Sequence, residues 1–206
     1  VSLMLRQPSF NFQEGDIFFQ DLDCGPPCDA IEAVTQGYMG SNLSHCAIIT
    51  VVGPDLKTTK LADAIGETVI ETTLEEFLNR SNKVLVGRLN KEHAEIIPTA
   101  LNHIKSNLIG KPYDFIFDIT DDSYYCSEII YEGLQFADNN QQITQLNPMT
   151  FNEPGTNTPF IHWIEYYKEL NHEIPEGELG LNPGGMSRSE GIEIIYIFEK
   201  PSGYNN

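Results

Sequence analysis

YYCSEIIYEGLQFA, residues 124–137, is the stretch on which the fold turns. Cys126, Ile129, Ile130, Gly133, Leu134 and Ala137 fall on one stripe at helical spacing, so a helix is expected from about Cys126 to Ala137. Cys126 is then its first inward-facing residue. Asp121, Asp122 and Ser123 just upstream are helix-start residue types, which places the boundary at or a few positions before Cys126. A thiol at such a terminus meets unpaired N–H groups and the positive end of the helix dipole, and both favour the thiolate. Taken alone, a single Cys on a core stripe is equally an inert buried thiol, so other residues must decide its role.

Outward from that helix the chain alternates strands and helices. GDIFFQ at 15–20 is an apolar, aromatic run led by a turn, and SHCAIITVV at 44–52 is β-branched and almost continuously apolar, the pattern of a strand covered on both faces. Further strands are expected at 68–72 (TVIET), 83–89 (KVLVGRL) and 192–198 (IEIIYIF). Thr73 and Glu76 have capping-box spacing, which starts a short helix. Apolar spacing predicts helices over 92–108, with Pro98 disturbing the first turn, and over 160–170. Residues 138–160 and the turn-rich 175–191 carry no period, and the first of these is expected to be a long functional loop. Mixed helices with mainly antiparallel strands give an α+β fold, and 206 residues favour one domain over 1–206.

His45 opens an otherwise apolar strand, where an imidazole is either a satisfied core residue or a group aimed into a cleft. Glu71 sits among apolar neighbours in TVIET, and could fix the tautomer of such a His or simply face solvent. Backbone N–H groups at the start of the 126–137 helix are natural donors to an oxyanion. Gln20, Tyr125 and Ser127 are the side-chain candidates for oxyanion or substrate contact, with strand-end polarity or packing as their bland alternatives.

GDIFFQ, then SHCAII, VIETT, GKPYDFIFD and YYCSEIIYEGL together resemble the permuted papain-like amidases of the NlpC superfamily, the YiiX and YaeF type. The resemblance spans roughly 12–136 and the final strand. It implies a curved antiparallel sheet or barrel packed against a helix that carries a nucleophilic Cys at its start. It also implies Cys126 as nucleophile, His45 as base and Glu71 as the third member, with no cofactor. A triad is defined by geometry and roles, so the order His, acid, Cys along the chain is no obstacle.

Charge and cysteine usage bound the partners. Thirty Asp and Glu against 12 Lys and Arg give a formal net charge of −18, which repels phosphate backbones and argues against nucleic acid. No apolar run is long enough to span a bilayer. Cys24 and Cys28, in CGPPC, could join His45 and Cys46 around zinc, but the spacing fits no common structural site and residues 45 and 46 point to opposite faces of a strand. No metal is therefore expected, and a small Cys24–Cys28 disulfide is the alternative. His93, His103, His162 and His172 receive no role. The compartment stays open: cell envelope if a signal peptide preceded Val1, cytoplasm otherwise. The expected activity is that of a cysteine amidase or peptidase on a cell-wall peptide or related amide. A lipid esterase or acyltransferase with the same triad, and a non-catalytic binding module, are the competing expectations.

Overall fold

A computed structural model describes residues 10–140 and 142–205; the remainder of the expected 1–206 domain lies outside the described residues. Six strands build one antiparallel sheet: β1 (Ile17–Gln20), β2 (His45–Val51), β3 (Lys60–Ile65), β4 (Thr68–Thr73), β5 (Val84–Leu89) and β8 (Ile192–Ile197), in the order β4-β3-β2-β1-β5-β8. A two-residue pair, β6 (Asn147–Pro148) with β7 (Leu179–Gly180), stands apart from it. The helices are α1 (Pro26–Val34), α2 (Leu74–Arg80), α3 (Ile97–His103), α4 (Cys126–Ala137), α5 (Ile161–Glu169) and the short α6 (Pro183–Met186). The α+β class and the helix beginning at Cys126 follow the sequence reading.

Alternation along β1 and β2 divides the core. Ile17, Phe19, Cys46 and Ile48 face one way, with Ile104, Ile129 and Ile130 packed over them. Phe18, Ala47 and Ile49 face the other way, toward Leu74, Phe77 and Leu78 of α2. Both sheet faces are thus covered, which is why Cys46, Ala47, Ile48 and Ile49 are apolar without alternation. α3 and the residue that follows it pack across α4 at Gly133, where an added Cβ would come 3.4 Å from the Ala100 carbonyl of α3 and 2.5 Å from Ile104 Cδ1. Close contact between these helices requires a residue without a side chain there.

α2 starts where the sequence places it. Thr73 accepts the Glu76 backbone N–H at 3.2 Å, while the Glu76 carboxylate accepts the Thr73 N–H at 2.9 Å. The expected helix over 92–108 is instead a 3-10 turn (Lys91–Ile96), α3 and a π-helical turn (Ile104–Leu108). Pro98 stands in the first turn of α3, where its missing N–H costs no hydrogen bond. The short β6, β7 and α6 lie in stretches read as loop or turn, and two longer elements were not foreseen. One is α1, whose Pro-Pro pair reads as a turn but also suits a helix start, and the other is β3, whose interior aspartate breaks the apolar run.

Candidate active site

Cys126 is the first residue of α4, 7% exposed, with its thiol against His45 and Cys46. Of the first-turn N–H groups, that of Glu128 bonds the Tyr125 carbonyl at 3.1 Å, which leaves those of Cys126 and Ser127 to lie beside the sulfur. His45 is the first residue of β2, and its Nε2 lies 2.8 Å from Asp63 Oδ1. That contact leaves Nδ1 as the ring nitrogen available to Cys126. Asp63 is fully buried on β3, and its second oxygen accepts from Arg80 Nη2 at 2.5 Å. Arg80 in turn lies over the Phe77 ring, 5.0 Å from its centre, and the same ring stacks on His45 with centroids 6.0 Å apart. Strands β2 and β3 hold the imidazole and carboxylate, while α2 holds the guanidinium and the aromatic plate.

Glu71 takes no part in this arrangement. In the β3–β4 register it lies opposite Ala62, one residue out of phase with Asp63, which lies opposite Ile70. Because side chains alternate across a sheet, that single step turns Glu71 to solvent, where it pairs with Lys60 at 2.5 Å. The partner of His45 is Asp63, which corrects the expectation for the third residue. The sequence did carry a signal: in KLADAI, Asp63 stands among Leu61, Ala62, Ala64 and Ile65, a carboxylate in an apolar strand that demands a partner.

Gln20 is likewise corrected. Its Nε2 donates to the carbonyls of Phe77 and Ser81 at 2.9 and 2.6 Å, so both amide hydrogens are spent at the C-terminal end of α2. It lies opposite His45 in the β1–β2 pairing and helps fix α2 beneath the ring, with no donor left for an oxyanion. Tyr125 is buried, and its hydroxyl accepts the Leu181 N–H at 3.1 Å, tying the helix start to the segment after β7. Ser127 is fully buried, and its hydroxyl has no hydrogen-bond partner.

Electrostatics favour a charged pair. Burial opposes protonation of His45, but the Asp63 carboxylate and the Cys126 sulfur outweigh it and lift the imidazole to about 9. The Cys46 hydrogen bond, working against burial and assisted by His45, pulls the Cys126 thiol well below its ordinary value. Burial and the same contact push Cys46 up, so Cys46 is the thiol that keeps its proton and donates it. At neutral pH the arrangement favours a thiolate facing an imidazolium. Glu128, three residues after the cap, accepts the Tyr125 N–H at 3.1 Å, and burial raises its carboxyl to about 9. A neutral Glu128 puts no negative charge beside the sulfur.

One cavity opens on Cys126, with a volume of about 140 Å³. Its walls come from α1, α4, α5, the loop at Phe117 and the segments 148–151 and 181–183. The two aperiodic stretches of the sequence therefore meet at the sulfur. Cys24 and Cys28 form a disulfide with Cα atoms 5.5 Å apart.

A buried thiol at a helix N-terminus, paired with a strand His that a carboxylate orients, on an antiparallel sheet flanked by helices, is the arrangement of a papain-like cysteine hydrolase. Residues 11–196 match the family of permuted papain-like amidases, YaeF/YiiX, family C92, and the chain belongs to that family. The uncharacterized protein YiiX of Escherichia coli (strain K12) is 28% identical over 141 residues. That similarity covers 66% of this chain and 65% of YiiX, so the match spans just under two thirds of the relative's length. A crystal structure described as the metalloprotein yiiX from Escherichia coli O157:H7 superposes with a TM-score of 0.69 at 23% identity, covering 92% of this chain and 98% of that one. At that identity the likeness bears on the fold, which it shares. Among the described residues of this chain, no group of three or more His, Cys, Asp or Glu is placed to hold a metal ion. The two oxygens of Asp63 are already taken by His45 and Arg80, and Cys24 and Cys28 are joined to each other, so the residues present do not fit such a centre.

Proposed function

We propose that this chain is a cysteine hydrolase that cleaves an amide through a thioester, with Cys126 as nucleophile, His45 as acid and base, and Asp63 as the group that orients His45. The contact that carries this reading is His45 Nε2 to Asp63 Oδ1 at 2.8 Å, on the far side of the ring from the Cys126 thiol. The Cys126 thiolate attacks the carbonyl carbon, forming the C–S bond and an oxyanion that first-turn N–H groups of α4 receive. As the C–N bond breaks, the His45 imidazolium gives its proton to the leaving nitrogen. Water then attacks the thioester, His45 takes its proton, the C–S bond breaks and the acid departs. An ester would pass through the same thioester.

The family supports an amidase, which favours a peptide amide as substrate; within that class the proposed substrate is an amide of a cell-wall peptide. A surface of net charge −18 suits an amine-bearing or neutral substrate better than an anionic one. The test is Cys126→Ala, measured on acyl anilides with circular dichroism as the control for folding. Hydrolysis is expected to vanish while the spectrum stays unchanged; turnover retained by the folded variant would remove the mechanism. A binding module on the same fold predicts no thioester at all, so mass spectrometry of the wild-type chain mixed with a slow ester should show an acyl adduct on the peptide containing Cys126.

A further inference from the structure

The cavity that ends on Cys126 has an unusual composition for this molecule. In a chain with 42 Asp, Glu, Lys and Arg residues, none of these types is among the described residues that line it. Its walls include Ile31, Phe117, Met149, Phe151, Trp163 and Leu181. The aromatic walls are braced. Phe151 meets Trp163 edge-on at 5.3 Å, and Phe117 meets Tyr125 the same way at 5.3 Å. Phe117 holds a positive φ of 58°, a costly conformation for a bulky residue, and is kept there by Asp114, which accepts the N–H groups of Ile116, Phe117 and Asp118. The cavity is therefore built, not left over from loose packing.

From this we infer that the site takes an uncharged, apolar acyl group of about six carbons, held in this cavity while its carbonyl is bonded to Cys126; the inference rests on the hydrolase reading above. Four observations converge on it. A wall that is mainly apolar, with Thr35, Ser44, Thr150 and Asn182 as uncharged polar members, penalises a carboxylate or ammonium, which would lose hydration with no opposite charge to pair with. A volume of about 140 Å³ is close to that of an apolar cavity that takes up a benzene ring, about 150 Å³, and so suits a short aliphatic chain or a single ring. The acyl half stays attached through both chemical steps while the amine leaves after the first, so a preformed pocket ending on the sulfur belongs to the acyl half. Ser127, next to Cys126, is among the lining residues, and its buried hydroxyl has no hydrogen-bond partner, a polar group close to the carbonyl end. A fatty acyl group and an amino acid with an apolar side chain share this chemistry.

The experiment measures kcat/KM for 4-methylumbelliferyl esters of acetate, butyrate, hexanoate, decanoate and hemisuccinate, with N-acetyl-leucyl and N-acetyl-glutamyl esters alongside. The rate is expected to rise about threefold per methylene from acetyl to hexanoyl, as each methylene leaves water, and then to level off. Hemisuccinyl should fall at least about tenfold below butyryl. A leucyl ester faster than hexanoyl assigns the pocket to a peptide, and the reverse order assigns it to a fatty acyl group. Val34→Asp, a half-buried wall position, should lower the hexanoyl-to-acetyl ratio by about tenfold. A flat series, or a preference for the hemisuccinyl or glutamyl ester, overturns the inference while leaving the hydrolase standing. No turnover of any ester and no adduct on Cys126 overturns both.

Discussion

At the scale of single residues the decisive feature is the choice between two carboxylates eight positions apart on adjacent strands. Asp63 is fully buried and bonded to His45 and Arg80, whereas Glu71 is exposed and bonded to Lys60. Asp63→Asn keeps the shape but removes the charge that holds the imidazolium, and should lower kcat/KM by about 10²-fold. Glu71→Gln removes only a surface pair of the kind that contributes at most about 1 kcal/mol, and should leave kcat/KM within about twofold. The two variants assayed side by side, with melting temperatures as the folding control, decide between the acids; equal losses would contradict the assignment. The pH profile follows from the same contacts. The active form requires Cys126 deprotonated and His45 protonated. Activity should therefore extend well below the ordinary thiol range on the acid side and fall as pH rises through about 9, where His45 loses its proton. A profile that instead rises through the alkaline range would mean that the thiol is not paired. Cys126 was legible as a candidate because it opens a helix as its first inward-facing residue, and His45 because it opens an otherwise apolar strand. Asp63 interrupts an apolar run, but recognising its strand required the partners that offset its burial, and these lie 18 and 17 residues away.

At the scale of elements, what holds the site is the attachment of α2 and α4 to opposite faces of the sheet. Gln20 spends its amide hydrogens on two carbonyls at the end of α2, so Gln20→Ala should act through stability. Leaving those groups without partners should cost about 1–3 kcal/mol, read as a lower midpoint in urea with an unchanged slope. In α4 the buried Glu128 has its carboxyl raised to about 9, chiefly by burial. A folded-state value raised above the unfolded one means that stability is full below the unfolded value and declines as pH rises toward 9. Glu128→Gln keeps an acceptor for the Tyr125 N–H and removes the titration. Urea midpoints should therefore fall less steeply for the variant than for the parent between about pH 5 and pH 9; parallel slopes would contradict the neutral carboxyl. Period and caps sufficed to place α2, α4, α5 and most strands. They did not suffice for α1, where Pro-Pro serves a helix start as well as a turn, or for β3, where propensity argues against a charged interior position. The wall of the cavity was not legible either, since 148–151 and 181–183 are shaped by long-range contacts such as the Leu181 N–H on the Tyr125 hydroxyl, not by local pattern.

At the scale of the whole molecule, a strongly acidic surface surrounds a reaction pocket without charge. The first property sets how charged molecules approach, and the second sets what can stay. Four cysteines divide by place: Cys24 and Cys28 close a short loop at the start of α1, and Cys46 and Cys126 meet unbridged in the core. A thiol titration of denatured, unreduced protein should therefore find two reactive groups. Closing so short a loop contributes about 2 kcal/mol on the chain-entropy account, so reduction should lower the melting temperature modestly without unfolding the chain. The rate of alkylation of Cys126 by iodoacetamide, followed by mass spectrometry across the pH range, tests the thiolate–imidazolium pair more directly than any other measurement. Fast, selective alkylation that persists into mildly acidic solution, and that shifts toward the behaviour of a free thiol in Asp63→Asn, is the predicted result. Alkylation no faster than that of an ordinary thiol, with a midpoint near about 8.5 in both proteins, would contradict it.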